Sequence, residues 1–563
     1  MALLLLSTKK TNVNYMNKKP LHHENKDDSK NKRALNNEVK KSIKNLTKFS
    51  ADKSISIIKS KWPSNFNLTC SEIASEYLKL KKYADASIAY KVAANAVDPS
   101  DRVLVGLAIS LHQIGQHQEA VSYAKRAYEL EPKHLLNAKV YLDCLLLTGG
   151  ASEIDKLCNS LRIIFTTDKD LQYFHAQAKR LLGDFESALI LLKDLELKTN
   201  SNLFKFSIAD VIGETDSLKA IEMYESLDSQ KIEFSNLNKY NLSLHYLRCR
   251  NFAKGWEYFE FGLDKDMGVF GRKLPYNFKN TFRADKCKVE SEKWTMICAE
   301  QGIGDQVTFL SALPDAVNEF KNVFFVCEHR MLSILKRSFP SLNLTSNGKF
   351  GDINLFETQV SGGLGYIPLG SLLERYRFSI ESFNENKKAF IAVDSDMYYS
   401  YRTSLMNAAK GRRIIGISWK SKVAKNLEFV KNIDFFDWLA LFDKETLIVN
   451  LQYGDTSSEQ ELVKNLGLEM LSFNDLDFTK NLDQWLSLSA ACDGIISVST
   501  SLVHFAGACG QRVAVVMPFK QGHWTLGLNE TESIFYPRVN IFRRISDEPL
   551  TSLILNASAH LKS

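Results

Sequence analysis

The sequence predicts a mixed α + α/β protein: an N-terminal helical repeat array followed by a two-lobed domain of parallel sheets. Two observations carry that expectation. Between about 66 and 265, apolar and small residues recur at helical spacing, and the pairs Ala94/Ala127 and Pro99/Pro132 share an offset of 33 residues. Beyond about 285 the pattern changes to short β-branched and aliphatic runs separated by helical stretches, as in sheets covered on both faces.

A chain of 563 residues exceeds what one core accommodates, so several domains are expected. The formal net charge of +7 is localised: residues 1–50 hold 12 Lys/Arg against 4 Asp/Glu, whereas the rest holds 60 against 61. A basic tail on a neutral body lacks the basic face that nucleic acid needs, so no nucleic-acid partner is expected. The nine cysteines (70, 144, 158, 249, 287, 298, 327, 492 and 509) are scattered without a C-x-x-C pair. That argues against a zinc or dithiol site and fits a reducing cytosol. The Met1–Leu6 stretch is shorter than a signal-peptide apolar core. No later run approaches the roughly 18 to 20 apolar residues of a bilayer span. A cytoplasmic protein without integral membrane contact is expected.

Residues 1–65 are rich in Lys, Asn, Asp and Ser and are expected to form a disordered basic leader. The repeats follow over 66–265. One unit runs through Ala74, Tyr77, Tyr83, Ala86, Ala94 and Pro99. The next runs through Leu104, Leu107, Ala108, Leu111, Gly115, Ala120, Ala127 and Pro132. Small residues let paired helices approach, Gly115 opens the turn between them, and the proline ends the second helix. This resembles the tetratricopeptide repeat, without its Trp and with a slightly short period. Gly183–Ala188 and Asn251–Tyr258 look like the turn and second helix of further units. One such unit cannot bury its own apolar face, so a stack of two to six is expected.

A linker is assigned to 266–289, one lobe to 290–395, a second to 396–545 and a C-terminal helix or tail to 546–563. Strands are read at 294–299, 322–327, 413–419, 446–451, 493–498 and 512–517, and the polar stretch 395–412 joins the two sheets. In open parallel sheets ligands sit at the carboxyl ends of strands, here in the cleft between lobes.

Two motifs follow such strand ends. In Glu300-Gln301-Gly302-Ile303-Gly304-Asp305, Gly302 and Gly304 permit close backbone approach and the following helix offers free N–H groups. Asp305 is either the helix N-cap or a carboxylate facing the cleft. In the second motif, a buried strand ends in Ser499-Thr500-Ser501 and a small-residue helix begins. This is either a plain hydroxyl cap or a diphosphate cradle. His504 either points to the ligand or is a satisfied interior histidine. Lys420 or Lys422 would neutralise a departing diphosphate, or is a surface lysine. Gln452, Tyr453 and Gly454 face a nucleobase or belong to a loop.

The order EQGIGD, GISWKSK, LQYGD, DGIISVSTSLVHFAGACG, then His523-Trp524 and Phe535-Tyr536-Pro537, resembles tetratricopeptide-linked proteins with a heptosyltransferase-like domain. Those domains are similar to glycosyltransferase family 9, of the two-Rossmann-lobe GT-B type. The resemblance covers roughly 66–545, and the Gly255-Trp256-Glu257-Tyr258 segment shares it. It implies metal-independent, inverting transfer from a nucleotide-activated sugar, with no cofactor. Asp305 takes the position of the general base on the acceptor hydroxyl. The cradle usually reads D-[ST]-G/A-x-x-H-x-A, and Ser499 stands here where that Asp would be. The expected partners are a nucleotide-sugar donor and a protein or peptide acceptor brought by the repeats. A transferase for lipopolysaccharide or capsule-type glycan, and a catalytically silent repeat scaffold, are the alternatives.

Overall fold

The computed structural model describes residues 42–43, 45–96, 98–230, 232, 234–264, 267, 271–272, 294–346, 364–421, 432–519, 521–545 and 548–562. The chain divides into two compact units, Met1–Ile208 and Ala209–Ser563.

Unit 1 is helical. It opens with α1 (Ala51–Lys61), followed by the pairs α2 (Phe66–Lys79) and α3 (Tyr83–Ala94), α4 (Asp101–Gln113) and α5 (His117–Leu130). The pairs α6 (Leu135–Thr148) with α7 (Ala151–Ile164), and α8 (Lys169–Leu181) with α9 (Phe185–Thr199), complete it. Small residues line the packed faces, such as Ala86, Ala89 and Ala93 on α3 and Ala120, Ala124 and Ala127 on α5. The disordered leader expected over 1–65 is corrected for its last part, where α1 forms; residues 1–41 and 44 lie outside the described residues. Ala51, Ser54 and Ile58 bury one face of α1, and Ser54 Oγ lies 2.9 Å from the Tyr77 hydroxyl. Asp85 accepts from the Ala51 N–H at 2.8 Å. A sparse apolar set at helical spacing, tied down by polar contacts to α2 and α3, outweighs the polar composition.

Helix α10 (Asn202–Ile212) straddles the division, and unit 2 continues with α11 (Ser217–Asp228), α12 (Ser235–Arg248) and α13 (Phe252–Phe259). The intra-pair turns share one geometry. Lys81, Gly115, Gly149, Gly183 and Arg250 are left-handed. The amides of Lys82, Gln116, Gly150, Asp184 and Asn251 each reach the carbonyl five residues back, at 2.9–3.0 Å.

The remainder of unit 2 holds two wholly parallel sheets. The first has the order β3 (Asn343–Ser346), β2 (Asn322–Cys327), β1 (Trp294–Cys298), β4 (Leu364–Pro368). Its connections include α14 (Ile303–Phe309), α15 (Leu313–Glu319) and α16 (Leu332–Ser338), and α17 (Leu372–Tyr376) and α18 (Ile380–Glu385) follow β4. The stretch expected as a polar connector is α19 (Ser395–Ala409), which leads into β5. The second sheet runs β10 (Val539–Arg543), β9 (Val513–Met517), β8 (Gly494–Ser497), β5 (Arg413–Ser418), β6 (Thr446–Asn450), β7 (Met470–Leu471). Helices α20 (Phe435–Trp438), α21 (Ser457–Asn465), α22 (Leu482–Ala490) and α23 (Ser501–Ala508) connect its strands. The C-terminal α24 (Leu550–Lys562) packs Leu553, Ile554, Ala557 and Leu561 under Ile415, Ile417, Ile496 and Val516.

This topology fixes where loops gather. The first sheet's order reverses at β1, between β2 and β4, and the second's at β5, between β6 and β8. Such switch points leave a crevice at the carboxyl ends. The ends of β1, β5, β6 and β8 carry the four motifs, and the register sets Ser418 beside Ser497 and Ile417 beside Asn450.

Candidate active site

The loop after β1 is built on a buried carboxylate. Glu300 accepts from Arg272 Nε at 2.8 Å, from Arg272 Nη2, and from the Gly370 N–H at 2.7 Å. Burial acts to lower the Arg272 pKa, but Glu300 and Glu260 raise it, so the guanidinium stays charged. Arg272 lies inside the expected 266–289 linker yet is 5% exposed, and most of that stretch lies outside the described residues. Gln301 is left-handed (φ 64°), a conformation costing a side-chain-bearing residue about 1–2 kcal/mol. Its amide donates to the Tyr240 hydroxyl at 3.1 Å.

Gly302 is the N-cap of α14, so Asp305 is the third residue of that helix rather than its cap. Gly304 faces α23 closely. A Cβ there would lie 3.1 Å from His504 Cδ2 and 3.6 Å from Ser501 Cα. The two motifs therefore touch across the lobes. Next to this contact, the Thr308 hydroxyl, His504 Nδ1 and the Tyr536 hydroxyl lie 3.0–3.1 Å from one another. Burial keeps Tyr536 protonated well above its ordinary pKa, against the pull of the Thr308 bond and with a smaller contribution from the Asp305 charge. Asp305 Oδ1 lies 3.6 Å from His523 Nε2, and both side chains are 32% exposed.

At the other motif, Thr500 is the N-cap of α23 but makes no side-chain cap bond; its hydroxyl lies 3.2 Å from Ser497 Oγ. Ser499 and Ser501 are half-buried beside it. Lys420 is ion-paired with Glu459, which also accepts from Trp419 Nε1 at 3.1 Å. Burial works to raise Glu459, yet Lys420 and Ser458 hold its carboxyl below the usual range. Gln452 is 3% exposed, with Oε1 accepting from Ser418 Oγ and the Trp419 and Lys420 amides at 2.9–3.0 Å. Its Nε2 donates to the carbonyls of Lys420 and Tyr453. Its amide thus braces two strand ends. The Tyr453 hydroxyl donates to Ser421 Oγ at 3.4 Å, and Gly454 turns the chain at φ 84°. Gln452 and Gly454 line a cavity of about 790 Å³ with Asn450, Asp455, Gln460 and Phe473. Lys422 lies outside the described residues.

The structure thus brings Gly302, Gly304, Asp305, Ser501 and His504 together, with Ser499 and Thr500 adjoining, and sets Lys420, Gln452, Tyr453 and Gly454 on the neighbouring strand ends. Sequence reasoning missed Thr308, His523, Tyr240 and the Arg272–Glu300 pair as parts of this site. Thr308 and Tyr536 are 228 positions apart, and no local spacing announces such a meeting. The Tyr536 and His523 segments were visible only as trailing motifs.

No family model matches the chain. Protein FlbA of Caulobacter vibrioides is 29% identical over 266 residues, covering 44% of this chain. The chain spans about two fifths of that protein's length (43%). Among solved structures, the glycosyl transferase family 9 protein of Veillonella parvula aligns with 49% of this chain and 98% of its own. It is 10% identical, with a TM-score of 0.36. A tetratricopeptide repeat protein of Parabacteroides merdae aligns with 40% of this chain and 90% of its own, at 13% identity and a TM-score of 0.35. Among the described residues no group of three or more His, Cys, Asp or Glu is arranged to hold a metal, and no helix is long and apolar enough to cross a membrane.

Proposed function

We propose that unit 2 is a glycosyltransferase that moves a sugar from a nucleotide-activated donor to an acceptor, with inversion and without a metal. The observation that supports this most is the meeting of α14 and α23, with Gly304 against Ser501 and His504 and the Asp305 carboxylate beside them. Two helix N-termini converge at two switch points, which suits an anionic diphosphate, and a carboxylate stands where an acceptor hydroxyl would be deprotonated. In this reading the α23 amides and Lys420 stabilise the departing diphosphate, and Tyr453 and Gly454 border the nucleoside. The helical repeats bring the acceptor, a protein or peptide, in the cytoplasm.

Asp305→Asn tests the role. The Gly302 cap is untouched, so the variant is expected to fold normally and to be stabilised by nucleoside diphosphates like the parent. Acceptor-dependent transfer should fall at least about 100-fold, the loss expected for a positioned base. Near-parental transfer would remove Asp305 from the mechanism. A repeat scaffold without catalysis is the second reading, favoured by Ser499 at the cradle's acidic position. Failure of any nucleotide sugar or nucleoside diphosphate to raise the melting midpoint would select it.

A further inference from the structure

We infer that His523 is a charge partner of Asp305, and that α11, α12 and α13 hold it there. This deepens the transferase reading and rests on it only for its chemical part. His523 Nδ1 is engaged by the Thr525 hydroxyl at 3.0 Å, which turns Nε2 toward Asp305 Oδ1 at 3.6 Å. The residues flanking His523 are gripped by the helices. Gln521 Oε1 accepts from Ser217 Oγ at 2.8 Å and from Arg248 Nη1 at 3.2 Å. Arg250 donates to the carbonyls of Trp524 and Thr525 at 3.2 and 3.3 Å and is ion-paired with Glu530. Trp524 packs edge-on against Trp256, with ring centroids 5.6 Å apart. A loop held on both sides of one histidine keeps that side chain in place.

Among the described residues, the other polar groups around this pair include Tyr240 on α12, Tyr536, His504 on α23, Gln301, and the buried Arg272–Glu300 pair behind Tyr240. Tyr240 is raised by burial first, against the Arg272 charge, and further by Asp305 and Glu300. Both tyrosines stay neutral, and the His523 imidazole, which gains a positive charge on protonation, stands 3.6 Å from the Asp305 carboxylate. In the reaction the acceptor O–H bond breaks and its proton passes to the Asp305 carboxylate. The acceptor oxygen bonds the anomeric carbon, and the carbon–diphosphate bond breaks with its electron pair leaving on the diphosphate. The proton then leaves Asp305 for water, and the His523 cation beside it favours return of the carboxylate.

Full-length protein with labelled histidine Cε1 provides the test, the His523 signal being identified by its loss in His523→Gln. Removing the carboxylate charge in Asp305→Asn should lower the His523 pKa by about half a unit or more. An unmoved His523 titration overturns the pairing. Gln521→Ala should broaden or shift the His523 signal; an unchanged signal overturns the holding role of the helices. For the chemical part, the acidic limb of the pH–rate profile should move upward by about half a unit in His523→Gln, because Asp305 loses its neighbouring cation. A limb that stays in place overturns the part His523 is given in the reaction. Absence of transfer by the parent protein with every nucleotide sugar would end the transferase reading, while the titration would still decide the pairing.

Discussion

The helix pair α4/α5 in unit 1 and the pair α12/α13 in unit 2 turn the chain in the same way and bury different chemistry. In α4 the buried face is mainly Val103, Leu104, Leu107, Ala108 and Leu111, with Ser110 and His112 beside them, and the turn residue Gly115 has no atom within 4 Å of where a Cβ would stand. In α12 the buried set includes Asn238, Ser243 and His245, and the turn residue is Arg250, whose guanidinium reaches Glu530 and two backbone carbonyls. One is a packing unit, and its turn is left to the residue that strains least. The other uses the same hairpin as a bracket, and accepts a strained arginine because its side chain holds the His523 loop. Lys81 occupies the same left-handed position in α2/α3 but is exposed, so strain alone does not mark a bracket.

The largest effect should come from the bracket's anchor. Trp256 is 2% exposed, donates to the Arg377 carbonyl at 2.8 Å, and packs on Trp524 and Phe259. Trp256→Ala should destabilise unit 2 by about 3–5 kcal/mol, the cost of emptying a large aromatic site. Denaturant unfolding followed by tryptophan fluorescence reads this directly, since every Trp except Trp62 lies in unit 2. A loss below about 1 kcal/mol would show that the hairpin merely rests on the lobes.

Strand legibility follows position in the sheet. The runs read at 294–299, 322–327, 413–419, 446–451, 493–498 and 512–517 match β1, β2, β5, β6, β8 and β9 within a residue at each end. The unread strands β3, β4, β7 and β10 are the four sheet edges. An edge strand has one neighbour and need not be apolar throughout; Asn343-Leu344-Thr345-Ser346 and the two-residue Met470–Leu471 carry no run to find. Helix α1 was lost in the same way, its three buried positions diluted by lysines and serines. The motif loops were visible because they follow central strands, where apolar runs are longest. His523 and Thr308 were not, because their roles depend on chain segments far apart in sequence meeting across the lobes.

Acid should separate the two hairpins. His245 is held well below its ordinary pKa by burial and, next, by the Arg248 cation. Arg248 Nη1 lies 3.4 Å from His245 Nδ1, so that nitrogen accepts. The folded state keeps His245 neutral while the unfolded chain protonates near pH 6.5. The contribution is therefore whole above about 6.5 and is lost below it, by up to about 1.4 kcal/mol per pH unit. His112 on α4 is pushed down to about 4 by burial, so its loss ends near that pH, whereas that of His245 continues. His245→Gln should flatten the fluorescence-detected stability of unit 2 between pH 6.5 and 5.5. An unchanged slope would place the acid sensitivity elsewhere.

The smallest effect tests the turns themselves. Gly115→Ala places a Cβ at φ 83° in open space, so its cost is conformational alone, about 1 kcal/mol in unit 1. Arg250→Gly reverses the backbone term and should gain about the same amount at φ 62°. It also removes the pairing to Glu530 and the bonds to Trp524 and Thr525. Burial tends to raise Glu530, but Arg250 holds it below the usual carboxylate range, so the substitution leaves a half-buried carboxylate without that cation. Removing one partner of such a pair costs more than an exposed bridge is worth. The net change in Arg250→Gly should therefore be destabilising by about 1 kcal/mol or more despite the relieved turn, and the His523 titration should broaden with it. Arg250→Lys keeps a cation but not the forked donors, so it should recover stability better than it recovers the His523 signal. If Arg250→Gly instead stabilises unit 2, as a glycine at Lys81 would stabilise unit 1, the arginine contributes no more than the turn, and the two hairpins are the same device.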